Sequence, residues 1–197
     1  MAERTLDGLQ VAIIATDGVE EIELTDPRDA LRRAGAHTVL IAPKSGAIQA
    51  MNHGEKGARF DVDMTLDAAR PEEFDAVLLP GGTLNADRLR MEKGAQNFVR
   101  GVDEARKPIA AICHAPWLLV SASLVKLRRL TSYPSLQDDV RNAGGMWEDK
   151  EVVVDTNWVT SRSPKDLPAF DREMLALFAK ERAKAAERAT AEERAAT

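Results

Sequence analysis

The chain is poor in the residues that most often build disulfides and metal centres. Its 197 residues include one cysteine, three histidines and 5% aromatic side chains. One cysteine excludes an internal disulfide and fits a reducing compartment, so a cytoplasmic location is expected. His37, His53 and His114 show no paired ligand spacing. A structural metal site is therefore not expected, and neither is a cofactor. Blocks of like charge are also missing. The 27 basic and 32 acidic residues alternate to a net charge of -5, which gives no footing for a nucleic-acid partner. No apolar run reaches the roughly 18 residues that a membrane span needs. The stretch Met1-Ala2-Glu3-Arg4-Thr5 has no apolar signal core.

What is present suffices for one α/β domain with a sizeable core, since 44% of the residues are hydrophobic. Leu9 to Thr16 reads as a buried strand. The loop Asp17 to Glu21 follows, then an amphipathic helix from Ile22 to Ala34 with Gly35 as its C-cap. On that helix Leu24, Ala30, Leu31 and Ala34 face inward and Arg28, Arg32 and Arg33 outward. Pro27 lies in its early turns and suggests a start near Asp26. Thr38 to Ala42 closes a βαβ unit, for which a right-handed crossover is the default. Gly46, Gly54 and Gly57 punctuate a small hairpin or edge segment between Lys44 and Asp63, with His53 as a solvated loop residue.

Ala76 to Leu79 is the next core strand and stops at Pro80-Gly81-Gly82, with a loop running on to Asp87. Gln96 to Ala105 reads as a helix, Ile109 to Ile112 as a strand, and Pro116 to Ser123 as a helix. Ser135 to Asn142 is helical. Val152 to Asp155 and Trp158 to Ser161 form a hairpin over Thr156-Asn157, and Leu167 to Lys184 is the last helix. Residues 1–184 thus form a single domain, and 185–197 a polar Ala/Glu/Arg-rich tail. Alternating strands and helices give a mostly parallel sheet covered on both faces, in which ligands gather at the carboxyl ends of the strands.

The lone cysteine falls at that end. Ile109-Ala110-Ala111-Ile112 runs straight into Cys113-His114-Ala115-Pro116. Pro116 stops ladder pairing but suits a first helical turn. Cys113 therefore sits on a sharp strand-to-helix turn, the logic of a nucleophile elbow with sulfur in place of hydroxyl. The following helix N-terminus would lower the thiol pKa. A buried, inert cysteine is the plain alternative. The loops Asp17 to Glu23 and Pro80 to Asp87 emerge at the same end.

Glu20, Glu21 and Glu23 complement the helix dipole, and one of them could point at Cys113. Ionised, it would raise the thiol pKa; protonated, it would donate to the thiolate. The Gly82 and His114 amides could form an oxyanion hole, unless Pro80-Gly81-Gly82 is only a turn. His114 could act as general base if its ring folds back on the sulfur.

Several strings together resemble the ThiJ/PfpI superfamily, and within it the PfpI branch. They are Glu20-Glu21-Ile22-Glu23-Leu24, Leu78-Leu79-Pro80-Gly81-Gly82, Ala86-Asp87-Arg88-Leu89-Arg90 and Ala111-Ile112-Cys113-His114-Ala115-Pro116. Thr131-Ser132-Tyr133-Pro134, Asp138 to Gly144, Glu151 to Asp155 and Asn157 to Arg162 add support. The resemblance implies a flavodoxin-like three-layer sandwich and a homodimer or larger oligomer. It implies Cys113 as nucleophile, His114 as its partner, Glu23 as the acid touching the thiol, and Asp87 of the partner subunit completing a triad with His114. This chain departs from the family's pattern at Ala115, where glycine is usual, and at Asp87, where some members carry Glu.

Two functions fit. The first is a stress-related cysteine hydrolase acting on small dicarbonyls such as methylglyoxal, on their adducts with proteins, or on peptides. The second is a redox-sensing stress protein or chaperone that uses oxidation of Cys113. A glutamine amidotransferase needs a late histidine, and none follows His114.

Overall fold

Successive side chains of a strand point to opposite faces. In β1 (Gln10–Ile14) both faces are apolar. Val11 and Ile13 enter one core, Ala12 and Ile14 the other. The same division runs through β6 (Ala76–Leu79) and β7 (Ile109–Ile112), where every residue is buried. This is the signature of a parallel sheet covered on both sides.

The structure, a computed structural model, describes residues 5–195. The remaining strands of the main sheet are β2 (His37–Ala42), β5 (Met64–Thr65), β10 (Val152–Asp155) and β11 (Trp158–Ser161). The order across it is β10-β11-β7-β6-β1-β2-β5. All pairings are parallel except β10 with β11, the expected hairpin over Thr156-Asn157.

One face is covered by α1 (Glu21–Arg33) and α6 (Leu167–Ala195). Their residues Leu24, Leu31, Phe170, Met174 and Phe178 join the first core. The other face is covered by α2 (Thr83–Met91), α3 (Lys93–Glu104), α4 (Pro116–Ser121) and α5 (Gln137–Asn142). Leu89, Phe98, Val99, Leu118, Leu119 and Val140 fill that second core. The arrangement is the flavodoxin-like three-layer sandwich of the sequence reading.

Three boundaries and one side-chain placement differ from the reading. Helix α1 begins at Glu21, not near Asp26, with Pro27 buried inside it. Pro27 accepts a helical φ and only withholds an N–H from the Glu23 carbonyl. The stretch after Pro80-Gly81-Gly82 is helix α2, not a loop. Its buried face includes Asn85 beside Ala86 and Leu89, which hides the apolar stripe. Arg28 is not an outward cation, because its guanidinium lies 5.1 Å from the Phe60 ring centroid. The last helix continues to Ala195, through most of the expected tail; Ala196 and Thr197 lie outside the described residues.

Two small ribbons flank the main sheet. β8 (Arg129–Leu130) pairs with β9 (Met146–Trp147). β3 (Ala47–Asn52) and β4 (Glu55–Asp61) form the expected hairpin. Its tip residues His53 (φ 49) and Gly54 (φ 95) both take positive φ, as a type I′ turn requires. This hairpin is stitched to the loop before α1. Gly18 N donates to Gln49 O at 2.8 Å and Met51 N to Val19 O at 2.7 Å. Among the described residues no helix is long and apolar enough to cross a membrane.

Candidate active site

The elbow forms where β7 runs out of ladder. Cys113 N donates to Ser161 O at 3.0 Å, and Tyr133 N donates to Cys113 O at 2.8 Å. The chain then turns through Cys113 with φ 62. A left-handed non-glycine residue costs roughly 1–2 kcal/mol, and such strain collects at functional sites. Ala115 has φ -54 and ψ -34, ordinary helical geometry. Its methyl is buried with α4 in the second core.

Three carboxylates at the start of α1 have three separate positions. Glu20 Oε1 accepts from His53 N at 3.3 Å, and Glu21 Oε2 from Ala58 N at 2.6 Å. Both hold the hairpin, and His53 stays exposed at its tip. Glu23 is fully buried and turned to Cys113. Neither of its oxygens closes a well-formed hydrogen bond. The thiol and the Gly81 amide nonetheless lie near enough to favour its charged form.

Pro80-Gly81-Gly82 is more than a turn. A side chain on Gly81 would collide with the Glu23 carboxyl and come within 2.6 Å of Cys113 Cβ. Gly82 has φ 89, and a methyl there would lie 2.6 Å from Glu20 N. Only glycines let this strand end approach the sulfur. The backbone amides of Gly82 and His114 both face Cys113 Sγ.

The His114 ring does fold back, with Nδ1 3.1 Å from Cys113 Sγ. Tyr133 stacks on it at 4.5 Å between centroids and 22° between planes. Trp117 meets it edge-on at 5.5 Å. On the far side of the ring, Nε2 lies 3.4 Å from Ser135 Oγ. Asp87 is brought elsewhere: it stands exposed on α2 of the same chain.

Burial sets the electrostatics. It raises the Glu23 pKa to about 8, with the Glu20 charge adding to the rise, so the carboxyl keeps its proton at neutral pH. Burial also pushes the Cys113 thiol far up, as does the charge that Glu23 would carry; the Gly82 and His114 amides pull it down. The lowered thiol pKa expected from the helix N-terminus is therefore not found. Helix α4 has only six residues and starts three residues after the sulfur, so its dipole is weak against desolvation. Burial lowers the His114 pKa, leaving the imidazole neutral and able to accept a proton. The arrangement is a neutral thiol–imidazole–carboxyl cluster. It can transfer the thiol proton to His114 when an electrophile arrives.

Two residues escaped the sequence reading. Asn85 is fully buried; its Oδ1 accepts from Thr16 N at 2.7 Å, and its Nδ2 donates to Pro80 O and Gly81 O at 3.0 and 2.9 Å. It ties together the loops after β1 and β6. A polar residue three positions after Gly-Gly was its only signal. Ser135 had none, being 21 residues from His114.

Comparison with known proteins came to the same place. Residues 9–177 match the DJ-1/PfpI family. Protein/nucleic acid deglycase 2 of Escherichia coli is 43% identical over 170 residues, 86% of this chain and 97% of that protein. General stress protein 18 of Bacillus subtilis is 38% identical over 174 residues, covering 88% and 99%. Among solved structures, Drosophila melanogaster DJ-1beta superposes with a TM-score of 0.79 at 27% identity, over 91% of this chain and 96% of that one.

Proposed function

The chain belongs to the DJ-1/PfpI family, and from that premise we propose that it is a cysteine-dependent hydrolase that removes methylglyoxal adducts from proteins under carbonyl stress. The observation that carries this reading is the strained Cys113 (φ 62) with His114 Nδ1 3.1 Å from its sulfur and two backbone amides facing it. The deglycase and stress-protein names of its relatives support it.

In the proposed reaction His114 takes the thiol proton as Cys113 Sγ attacks the carbinol carbon of the adduct. The C–N bond breaks, and the protonated imidazole returns the proton to the leaving amine. The resulting hemithioacetal isomerises when a proton moves from its carbinol carbon to the neighbouring carbonyl carbon. The neutral Glu23 carboxyl, with a pKa of about 8, is suited to shuttle protons between the adjacent oxygens. The Gly82 and His114 amides stabilise the transient oxyanion. Water then hydrolyses the thioester to lactate and frees the thiol. Free dicarbonyls enter the same path at the hemithioacetal, and peptides would use the acyl-transfer half alone.

The active form in this proposal is a homodimer or larger oligomer in the cytoplasm, with Asp87 of the partner subunit approaching His114. The redox-sensor alternative is less favoured. A thiol raised by burial reacts slowly with peroxide until a base deprotonates it.

Lactate release from a methylglyoxal-treated peptide, measured for wild type and Cys113→Ser in reducing buffer, tests the proposal. Release by wild type alone is expected. No release by either, alongside rapid peroxide oxidation of Cys113, would overturn it in favour of the sensor. Asp87→Ala should slow release about tenfold if the partner's carboxylate orients His114, which is about 1.4 kcal/mol; an unchanged rate removes the intersubunit contact from the mechanism.

A further inference from the structure

The His114 ring is confined by two aromatic neighbours. Tyr133 stacks on one face at 4.5 Å and Trp117 abuts it edge-on at 5.5 Å, so the ring cannot tilt. What the aromatics leave undecided is the choice between the two ring orientations related by a half-turn flip about Cβ–Cγ, which presents the same faces to both neighbours but exchanges Nδ1 for Cδ2 beside the sulfur. One polar side chain of the same protomer addresses that choice. Ser135 Oγ lies 3.4 Å from Nε2, on the side of the ring away from Cys113 Sγ.

Ser135 is held there by its neighbours. Tyr133 N is bonded to Cys113 O at 2.8 Å, and Leu136 N to Tyr133 O at 3.0 Å. Leu136 is fully buried. Ser135 lies between them in the short turn Pro134–Leu136, which one main-chain bond ties to the elbow and another closes on itself. A hydroxyl in that place can accept from Nε2–H while donating its own proton to water.

We propose that Ser135 is a positioning residue for His114, forming with Cys113 and His114 an intrachain relay that selects the Nε2–H tautomer and leaves Nδ1 free to take the thiol proton. As that proton moves from Sγ to Nδ1, the imidazole becomes positive and the Nε2–H···Oγ contact tightens, with no proton leaving Nε2. The three members of the relay belong to one protomer, whatever the partner's Asp87 adds. The inference rests on the reading of Cys113 and His114 as the reacting pair, but not on any substrate.

The test is the rate at which iodoacetamide alkylates Cys113 across pH 5 to 10, in the full-length chain with circular dichroism as a fold check. Four proteins are compared: wild type, Ser135→Ala, Ser135→Thr and His114→Ala. Ser135→Ala should alkylate about tenfold more slowly at pH 7, with the midpoint of its profile displaced upward. Ser135→Thr, which keeps the hydroxyl, should return to within about threefold of wild type. A wild-type profile for Ser135→Ala while His114→Ala is altered would overturn the relay alone. A threonine variant no better than alanine would also overturn it, since packing rather than the hydroxyl would then matter. A wild-type profile for His114→Ala would sink both the relay and the thiol–imidazole pair on which the proposed function depends.

Discussion

Glu23 and Asp103 lie at opposite ends of the sheet, the first fully buried and the second half-buried, and their surroundings differ sharply. Asp103 Oδ1 accepts from Arg128 Nη2 at 2.8 Å, Trp158 Nε1 at 2.8 Å and Asn157 Nδ2 at 3.1 Å. Arg128 also stacks on Trp158 at 4.5 Å. Three donors converge on that one oxygen, and the group serves as a clasp between α3 and the start of β11. Glu23 has no such donors on either oxygen and answers burial by keeping a proton. A satisfied buried acid stabilises; an unsatisfied one retains chemistry.

The comparison breaks first at Asp103. Asp103→Ala leaves three donors, a partly buried guanidinium among them, without their acceptor. The expected loss is about 3 kcal/mol, a fall in melting temperature of roughly 6–12 °C, with activity per folded molecule unchanged. A melting temperature equal to wild type would show that the clasp contributes nothing.

Glu23→Gln should do the reverse, lowering lactate release about a hundredfold, or about 2.7 kcal/mol, without loss of stability. Its pH dependence follows from the raised pKa. The folded carboxyl keeps a proton that the unfolded chain releases above its ordinary value of 4.5. That contribution is fully present below about 4.5 and is lost as pH rises through about 8. Denaturant melts at pH 5 and pH 9 should therefore show glutamine gaining on wild type at the higher pH. A constant difference would mean Glu23 is ionised throughout.

Asp171 sharpens the contrast at smaller scale. On α6, with Oδ1 unpartnered and Asp26 of α1 nearby, its pKa is raised to about 7 by burial first and by Asp26 second. Its stabilising proton is lost as pH rises from about 4 toward 7. Asp171→Asn should gain about 1 kcal/mol over wild type at pH 8 relative to pH 4, the partly solvated carboxyl muting the effect. No change between those two values would mean solvent reaches both oxygens.

The sheet was readable because its strands are short apolar runs bounded by Gly and Pro. Cys113 was readable because a strand, a lone cysteine and Pro116 occur in that order, and the resemblance singled out Glu23 among its neighbours. Helix α2 was not readable, because Asn85 occupies a core position that the eye reserves for an apolar residue. The start of α1 was obscured by Pro27, whose position inside a helix depends on packing that no local pattern reports. Ser135 meets His114 only through the fold, and serine occurs in too many harmless places to announce such a contact.

The β3–β4 hairpin adds no strand to the main sheet, yet it grips Gly18, Val19, Glu20 and Glu21, the residues that launch α1. It therefore acts as a lever whose fulcrum is the first turn of that helix and whose short arm ends at the Glu23 carboxyl. At its tip the His53 side chain is exposed, and replacing it should matter little provided the turn keeps its positive φ values. A methyl at Gly57 would displace the Glu21 carboxyl that accepts from Ala58 N at the root of the hairpin. The tolerance of this surface ribbon to change should thus fall steeply from tip to root, although neither end touches the reacting atoms.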